Sequence, residues 1–222
     1  MLGDVYIHME KETKQQLKVQ IPDEIIKNSL FTMDSNTFAV YSYLKFLHFR
    51  NYNNDELQID HKKFKNKLFI SDNRTLKKCF TTLHKNNIVL EYIDKFPTKG
   101  ILTFTFVPEP FESERFTQLP ANIFNRLEQI GTIGLRLLFY YESYINRVDD
   151  KNTYYAFPSL DTISNDLKLN RETIIKYNEI LQKQKLIRIK NFPIQWTGEY
   201  NELDLPLYRR ENNHYYVKVN KI

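Results

Sequence analysis

The sequence has one cysteine, five glycines and no long apolar run. A single cysteine, Cys79, excludes an intramolecular disulfide and a cysteine-rich zinc site, which is typical of the reducing cytosol. No apolar stretch approaches the roughly 18 residues that a membrane-spanning helix needs. The first 16 residues mix acidic and basic side chains and lack the apolar segment of a secretory signal. We therefore expect a cytoplasmic protein without membrane association.

The chain is also poor in the motifs of catalysis. Its five glycines form no phosphate-binding loop, and its five histidines and scattered carboxylates show no metal-ligand spacing such as HExxH. Cys79 falls inside a helical pattern with no motif around it, so a small buried thiol is expected there. We predict a protein that is not an enzyme, with no catalytic residues, no metal and no cofactor.

Apolar and basic residues are plentiful. Of the 222 residues 41% are hydrophobic, including 15 tyrosines and 16 phenylalanines. This is enough for one large domain or two domains of about 100 residues each. The formal net charge is +5 and the sequence pI is near 9.0. Such a charge is compatible with a polyanionic partner but does not demand one.

The sequence resembles itself at an offset near 98 residues. Residues 19–47 align with residues 117–143, and residues 64–90 align with residues 163–189. Identity is low, but the matched segments keep the same order at nearly the same offset, which indicates an internal duplication. Two prolines and alternating charge interrupt both patterns in residues 108–116, where we place the boundary.

The two units show the same order of signals. Pro22 or Pro120 leads into a helix, and a long apolar helix follows, which Asp34 or Ser35 can cap in the first unit. A polar loop and two short helices come next. Each unit ends in a strand pair, which turns at "PTKG" in the first unit and encloses a longer excursion in the second.

Three helices closed by a β-hairpin describe the winged helix-turn-helix. The sequence therefore predicts an α+β, mostly helical fold of two tandem winged helix-turn-helix domains related by internal duplication. Domain 1 spans residues 1–110 and carries an N-terminal extension that forms a hairpin or a tail. Domain 2 spans residues 111–222 and has an elongated wing.

The second short helix of each unit has a polar face once its core-facing residues are removed. Arginine suits the major-groove edge of guanine, asparagine suits adenine, and threonine and lysine commonly contact phosphates. The capped helix N-terminus adds N–H groups that a phosphate can use. Two wing arginines are candidates for the minor groove. The predicted DNA-binding residues are Asn73, Arg74, Thr75, Lys77, Lys78, Asn170, Arg171, Thr173, Lys176, Arg209 and Arg210.

The span from Phe116 to about Lys190 resembles a known family. "PSLDTISNDLKLNRETIIKYNEILQKQKLI" is similar to bacterial winged-helix regulators, and the wider span resembles the N-terminal domain of RepA-type plasmid replication initiators and, more loosely, DnaD-like primosome proteins. The resemblance implies binding to origin DNA. Lys185 departs from the usual glycine before the Leu-Ile pair, whereas Asn87 of the first unit suits a left-handed position. Asn178 stands where an apolar residue is usual.

Three roles remain open at this point. A plasmid or phage replication initiator would bind repeated sites in double-stranded origin DNA and recruit replication machinery. A transcription regulator of a mobile element would occupy an operator, and the lack of an assembly domain after the second wing favours this reading. A protein-interaction module is the third, favoured by the modest charge and by the acidic "EYNELDLP" in the wing. A monomer or a homodimer is compatible with each role.

Overall fold

A computed structural model of the chain describes residues 17–109, 112–113, 115–147, 154–209 and 211–222, and it has an α+β architecture. The predicted N-terminal hairpin or tail lies outside the described residues. Two 3-10 helices span Ala121–Arg126 and Val219–Lys221. The α-helices are α1 (Asp23–Lys27), α2 (Ser35–Arg50), α3 (His61–Lys67), α4 (Asn73–Lys85), α5 (Leu127–Glu142), α6 (Leu160–Leu167) and α7 (Arg171–Lys183). The strands are β1 (Lys18–Pro22), β2 (Glu56–Ile59), β3 (Leu102–Thr105), β4 (Phe116–Pro120), β5 (Ile187–Lys190), β6 (Gln195–Tyr200), β7 (Pro206–Arg209) and β8 (His214–Val217).

Side-chain caps begin five of these helices. In each case an Asp, Ser or Asn accepts a hydrogen bond from a backbone amide in the first turn, which satisfies one of the donors that a helix N-terminus leaves open. Of the two caps expected for α2, Asp34 and Ser35, the structure shows Asp34. The capping residues and their distances are Asp34 (2.8 Å), Asp60 (2.9 Å), Asp72 (2.7 Å), Ser159 (3.0 Å) and Asn170 (2.7 Å).

The two long helices, α2 and α5, pack against each other and join the two halves of the chain. Phe38 meets Phe139 edge to face with ring centroids 5.6 Å apart. Thr132 donates a hydrogen bond of 2.8 Å to the side chain of Asn36. The buried apolar residues of both halves form one continuous core. The expected boundary at residues 108–116 falls between β3 and β4, yet the halves on either side of it share their interior.

A buried arginine lies at this junction. Arg136 of α5 has no solvent exposure, and its guanidinium donates to the backbone carbonyl of Met33 and to the side-chain oxygen of Asn28. It also lies over the ring of Phe38, 5.3 Å from the centroid. Burial lowers the pKa of Arg136 to about 10, so the group remains charged at neutral pH. The second half of the chain thus supplies a buried cation, and oxygen atoms of the first half accept its hydrogen bonds.

A short antiparallel sheet of β1 and β4 completes the junction. In its register Gln20 lies opposite Gln118, Val19 opposite Leu119 and Ile21 opposite Thr117. At the offset of 98 residues, Gln20 and Gln118 are each other's counterparts in the two halves. The counterpart residues therefore face each other at the middle of the sheet, as they do across a two-fold axis.

Two contacts at the ends of the short helices repeat this reciprocity. Asn28, just after α1, donates to the backbone carbonyl of Asp166 near the end of α6 at 2.8 Å. Reciprocally, α3 of the first half is contacted by the 3-10 helix of the second half, where Lys67 at the end of α3 donates to the side-chain oxygen of Asn125 at 2.8 Å. Each half therefore holds the first short helix of the other half.

The strand prediction for the first half was wrong in one respect. Residues on both sides of "PTKG" were expected to pair as a hairpin, but β3 pairs with β2, which lies in the segment expected to be a polar loop. Only a single bridge, Val89 to Phe106, joins the expected first strand to the ladder. Alternation explains the error, because Leu57 and Ile59 are buried while Glu56 and Gln58 are exposed. A four-residue strand with only two apolar residues is too short to show a clear alternation, so the sequence pattern indicates a polar loop there.

In the second half the wing is a long two-stranded ribbon. β5 pairs with β8, and farther out β6 pairs with β7. Ile187 lies opposite Val217 and Gln195 opposite Arg209, and the register of the outer pair shifts between Trp196 and Tyr200. Every residue of β6 and β7 is exposed. At about 3.3 Å per residue, β6 alone extends roughly 20 Å. Among the described residues, no helix is long and apolar enough to cross a membrane.

Candidate nucleic-acid interface

Helices α6 and α7 are joined by a tight three-residue turn. Lys168 ends α6 in the left-handed conformation (φ 54°), and Ser164 donates to the backbone carbonyl of Leu169 at 2.6 Å. Asn170 then caps α7 by accepting from the amide of Thr173. The turn is therefore held by side chains from both of its ends, which sets the angle between the two helices.

The inner face of α7 packs on α5 and on the base of the wing. Ile174 and Leu181 are fully buried, as the helical spacing predicts. Asn178 is buried as well, and its side-chain oxygen accepts a hydrogen bond of 2.7 Å from the hydroxyl of Tyr141. Tyr141 in turn stacks on Tyr215 of β8 at 4.3 Å. The unusual asparagine is thus accommodated by a tyrosine partner, because a buried amide needs a hydrogen bond.

The outer face of α7 carries the residues predicted to contact DNA. Arg171 and Lys176 are exposed, and Thr173 is half-buried behind them. Arg171 forms an ion pair with Asp161 on α6. Both residues line a cleft of about 280 Å³ between the start of α6 and the loop that precedes β8. Asn170 uses its side-chain oxygen as the helix cap, so its amide NH₂ group is the part that faces outward.

Helices α3 and α4 form the corresponding pair in the first half. Their turn has five residues, with Phe69 in the left-handed conformation (φ 55°) and Asp72 as the cap of α4. Asn73 and Arg74 are exposed at the start of α4. Thr75 is half-buried, and its hydroxyl donates to the carboxylate of Asp72 at 3.1 Å. Thr75 therefore supports the cap in addition to facing outward.

Two of the predicted contacts on α4 already have acidic partners. Lys77 forms an ion pair with Asp94 at 3.0 Å, and Lys78 lies 3.6 Å from a carboxylate oxygen of Asp34. Lys78 and Asp94 are well exposed, so these pairs are weak and screened by salt. The sequence pattern did not anticipate them. Asp94 stands 17 residues beyond Lys77 along the chain, and only the fold brings them together.

Further basic residues surround α4. Lysines 62 and 63 on α3 are exposed, and Lys65 is half-buried. Lys62 also donates to the backbone carbonyl of Thr98 at 3.3 Å. From the sequence this run suited a backbone phosphate or a solvated lysine face equally well, and its helical placement beside α4 agrees with either.

The remaining candidates are in the wing. Arg209 is exposed at the end of β7, opposite Gln195. Arg210, the other predicted wing contact, lies outside the described residues.

Cys79 is buried, as expected, and burial raises the pKa of its thiol to about 12. Over the described part of the chain, no group of three or more His, Cys, Asp or Glu side chains could hold a metal ion.

With this geometry in place, comparison with known proteins assigns part of the chain to a class. Residues 143–187 match a family model described as a helix-turn-helix domain. The match runs from the end of α5 through α6 and α7 to the first residue of β5. No curated protein matches the sequence. The protein therefore contains a helix-turn-helix domain, and this domain supports DNA as its binding partner.

Proposed function

We propose that the protein is a non-enzymatic, sequence-specific double-stranded DNA-binding protein with two winged helix-turn-helix units that arose by duplication, in residues 1–110 and 111–222. One observation carries the proposal. In α4 and in α7 alike, the inner face is buried and the capped N-terminal half is exposed, with arginine, asparagine, threonine and lysine on it. This is the arrangement in which a recognition helix presents its first turns to the major groove.

The way the halves meet supports a two-fold relation between the two recognition helices. Gln20 faces its counterpart Gln118. Asn28 contacts the end of α6, and Lys67 at the end of α3 contacts Asn125, so that each half touches the first short helix of the other. Two heads related by a two-fold axis read half-sites that are inverted with respect to each other. We therefore expect one chain to recognise what a dimer of single-head proteins would, an imperfect inverted repeat.

Within this class we propose a role in plasmid or phage replication, at repeated sites in an origin and with replication machinery as the partner. The support is the resemblance of residues 116–190 to RepA-type initiators. A plasmid that carries the coding region and its flanking DNA should be maintained only when the protein is intact. If the protein instead changes transcription from a neighbouring promoter and leaves plasmid maintenance unaffected, the regulator role is the correct one.

DNA recognition is tested by selecting binding sites from random duplexes and then footprinting the best site with the full chain. We expect two protected patches on one face of the duplex. Arg74→Ala should weaken one patch and Arg171→Ala the other, each by about 1–3 kcal/mol of binding free energy if the arginine reads a guanine. Arg50→Ala, an exposed arginine at the end of α2, is the matched control and should leave both patches unchanged.

Two results would contradict the proposal. If both arginine variants retain full protection, α4 and α7 do not read the DNA. If the chain binds no duplex at low salt, the exposed faces of these helices serve a protein partner instead, because phosphate-driven DNA binding strengthens as salt falls.

A further inference from the structure

The wing ribbon of the second half has two chemically different faces. In its register Arg188 lies opposite Tyr216, Lys190 opposite His214, and Trp196 opposite Tyr208. Side chains alternate between faces along a strand, and opposite residues share a face. By this rule Arg188, Lys190 and their partners share a face of the inner strand pair, and Trp196 and Tyr208 share a face of the outer pair. Phe192, between the two pairs, contacts His214 of the inner set and lines a cavity with Trp196 of the outer set. We call this set the aromatic face: Arg188, Lys190, Phe192, Trp196, Tyr200, Tyr208, His214 and Tyr216, with Tyr155 packed beside it.

Near the body of the protein, cations and rings alternate on the aromatic face. The guanidinium of Arg188 lies 4.5 Å from the ring centroid of Tyr216. The ammonium of Lys190 lies 4.7 Å from that of Phe192. Phe192 meets His214 at 4.5 Å, and His214 stacks on Tyr155 at 3.8 Å. Arg188 and Lys190 are exposed and have no carboxylate within ion-pair distance among the described residues, so their charge is available to a ligand.

Farther out, the same face carries large aromatic rings without cover. Trp196, Tyr200 and Tyr208 are 53%, 56% and 63% exposed. Trp196 and Tyr200 contact each other edge to face at 5.9 Å, which confirms that they share a face despite the irregularity between them. Rings of this size are normally buried or lie at an interface. Their exposure side by side indicates a ligand with flat surfaces.

The acidic residues of the ribbon lie at its middle and at its tip. Glu199 and Glu211 line a cavity together with Phe192, Trp196 and Arg209. Glu202 and Asp204 lie in the turn at the tip. Glu211 also lines the cleft beside Arg171. The cations of the aromatic face, Arg188 and Lys190, therefore lie near the body of the protein, whereas the carboxylates of Glu199 and Glu211 lie near Trp196.

We propose that the aromatic face of the wing is a binding platform for single-stranded DNA. Unpaired bases stack on exposed aromatic rings whatever their sequence, and cations spaced between the rings neutralise the phosphates. Trp196, Tyr200 and Tyr208 would stack the bases, and Arg188 and Lys190 would contact the backbone. The choice of DNA over RNA rests on the proposed function, and the site is distinct from the duplex-reading helix α7.

The only tryptophan of the chain stands in the middle of this platform, which gives a direct signal. We expect a twenty-nucleotide oligothymidylate to quench the fluorescence of Trp196 in the full chain, saturably. Tyr208→Ala should weaken this binding by about 5- to 100-fold, the usual effect of removing one stacking ring. Leu207→Ala, next to Tyr208 on the opposite face and also exposed, is the matched control and should change neither affinity nor signal.

Two further variants test the role of the cations and separate single-strand binding from duplex binding. Lys190→Gln should reduce the salt dependence of oligothymidylate binding, with a slope smaller by about 0.7 for each phosphate of a single strand that the lysine neutralises. Arg171→Ala should leave this binding intact, so that failure of the duplex proposal and failure of the single-strand proposal are distinguishable. The platform is overturned if the oligothymidylate causes no quenching, or if Tyr208→Ala and Leu207→Ala behave alike.

Two other results would reassign the face. Tighter binding of oligouridylate than of oligothymidylate would overturn DNA as the ligand in favour of RNA. Concentration-dependent quenching without any oligonucleotide would overturn it in favour of self-association through the exposed rings.

Discussion

The two helix pairs of this protein differ far more in charge than in shape. Residues 61–85, which contain α3 and α4, carry eight basic and one acidic side chain, a net charge of +7 with neutral histidines. Residues 160–183, which contain α6 and α7, carry four of each and are neutral. Both second helices have 13 residues and a capped, exposed start. The two helix pairs are therefore built alike, but the surface of α3–α4 is strongly positive and that of α6–α7 is neutral overall.

Within the proposed DNA interface, in which both second helices contact bases, this difference predicts a division of labour in degree. Phosphate contacts supply affinity and salt dependence without sequence information, whereas base contacts supply specificity. The basic α3–α4 pair suits the first task. The neutral α6–α7 pair, with its short turn and its match to the helix-turn-helix model, suits the second.

The largest expected effect comes from breaking the junction that joins the two pairs. Arg136→Ala removes a buried cation, takes the guanidinium donor from the carbonyl of Met33, leaves the side-chain oxygen of Asn28 with the amide of Met33 as its remaining donor, and opens a cavity. We expect a loss of about 3–5 kcal/mol in the free energy of unfolding, measured with urea at pH 7. Tyr41→Phe, which removes only the hydroxyl that donates to Pro108 at 2.7 Å, should cost about 1 kcal/mol. Equal losses for these two variants would mean that Arg136 is not the link between the halves.

The charge contrast is tested by replacing the lysines of α3. If Lys62, Lys63 and Lys65 each contact a phosphate, their joint change to Gln should lower duplex affinity about 100-fold at 0.15 M salt and reduce the slope of log K against log salt by about 2.7. The same change at Lys168, Lys183 and Lys185 of the second half, which are exposed and outside the predicted contact set, is the control. A similar decrease in slope in both triple variants would remove the division of labour.

Lowering the pH should destabilise the starts of α3 and α4 more than those of α6 and α7, because carboxylates cap the first pair and uncharged side chains cap the second. Hydrogen bonds from the amides of Lys63 and Lys62 hold the pKa of Asp60 below its ordinary value of 3.8, and those from Thr75 do the same to the pKa of Asp72. The stabilisation by these caps is therefore present above about pH 4 and is lost as the pH falls through the lower, folded-state values. Ser159 and Asn170, which cap α6 and α7, do not titrate.

Hydrogen exchange of backbone amides measures this difference helix by helix. We expect the first turns of α3 and α4 to lose protection below pH 4 earlier than those of α6 and α7. Asp72→Asn keeps the cap without the charge and should remove the acid response of α4. An equal response of all four helices would show that the caps do not control it.

The smallest effect is expected where both pairs lead into their wings. Asn87 and Lys185 occupy equivalent positions in the left-handed conformation, with φ of 57° and 59°. Asparagine tolerates this region better than lysine, since its short polar side chain can bond locally. Lys185→Gly should stabilise the fold by about 0.5–1 kcal/mol, and Asn87→Gly by less. Thermal unfolding of the two variants would show the order, and a reversed order would contradict the backbone argument.

Local features of the fold were predictable because they depend on neighbours in the chain. The caps at Asp34 and Asn170, the buried Ile174 and Leu181 and the left-handed site at Asn87 all follow from residue type and spacing. The strand β2 was missed because four residues with alternating burial give too short a pattern. The ion pairs of Lys77 and Arg171 were missed because their partners come from another element. The exposure of Trp196, Tyr200 and Tyr208 was not predicted, because the strand sequence does not indicate whether another part of the fold covers these rings.

The amino-acid sequence by itself determined the helices, their starts and the apolar stripes that they bury, since these depend on interactions within a few residues. Only the tertiary structure decided how the halves meet: the pairing of β1 with β4, the burial of Arg136 against Met33 and Asn28, and the exposure of Trp196 on the wing. These contacts join residues that are far apart in the chain, and the free energy of burial depends on what the rest of the fold places against each side chain.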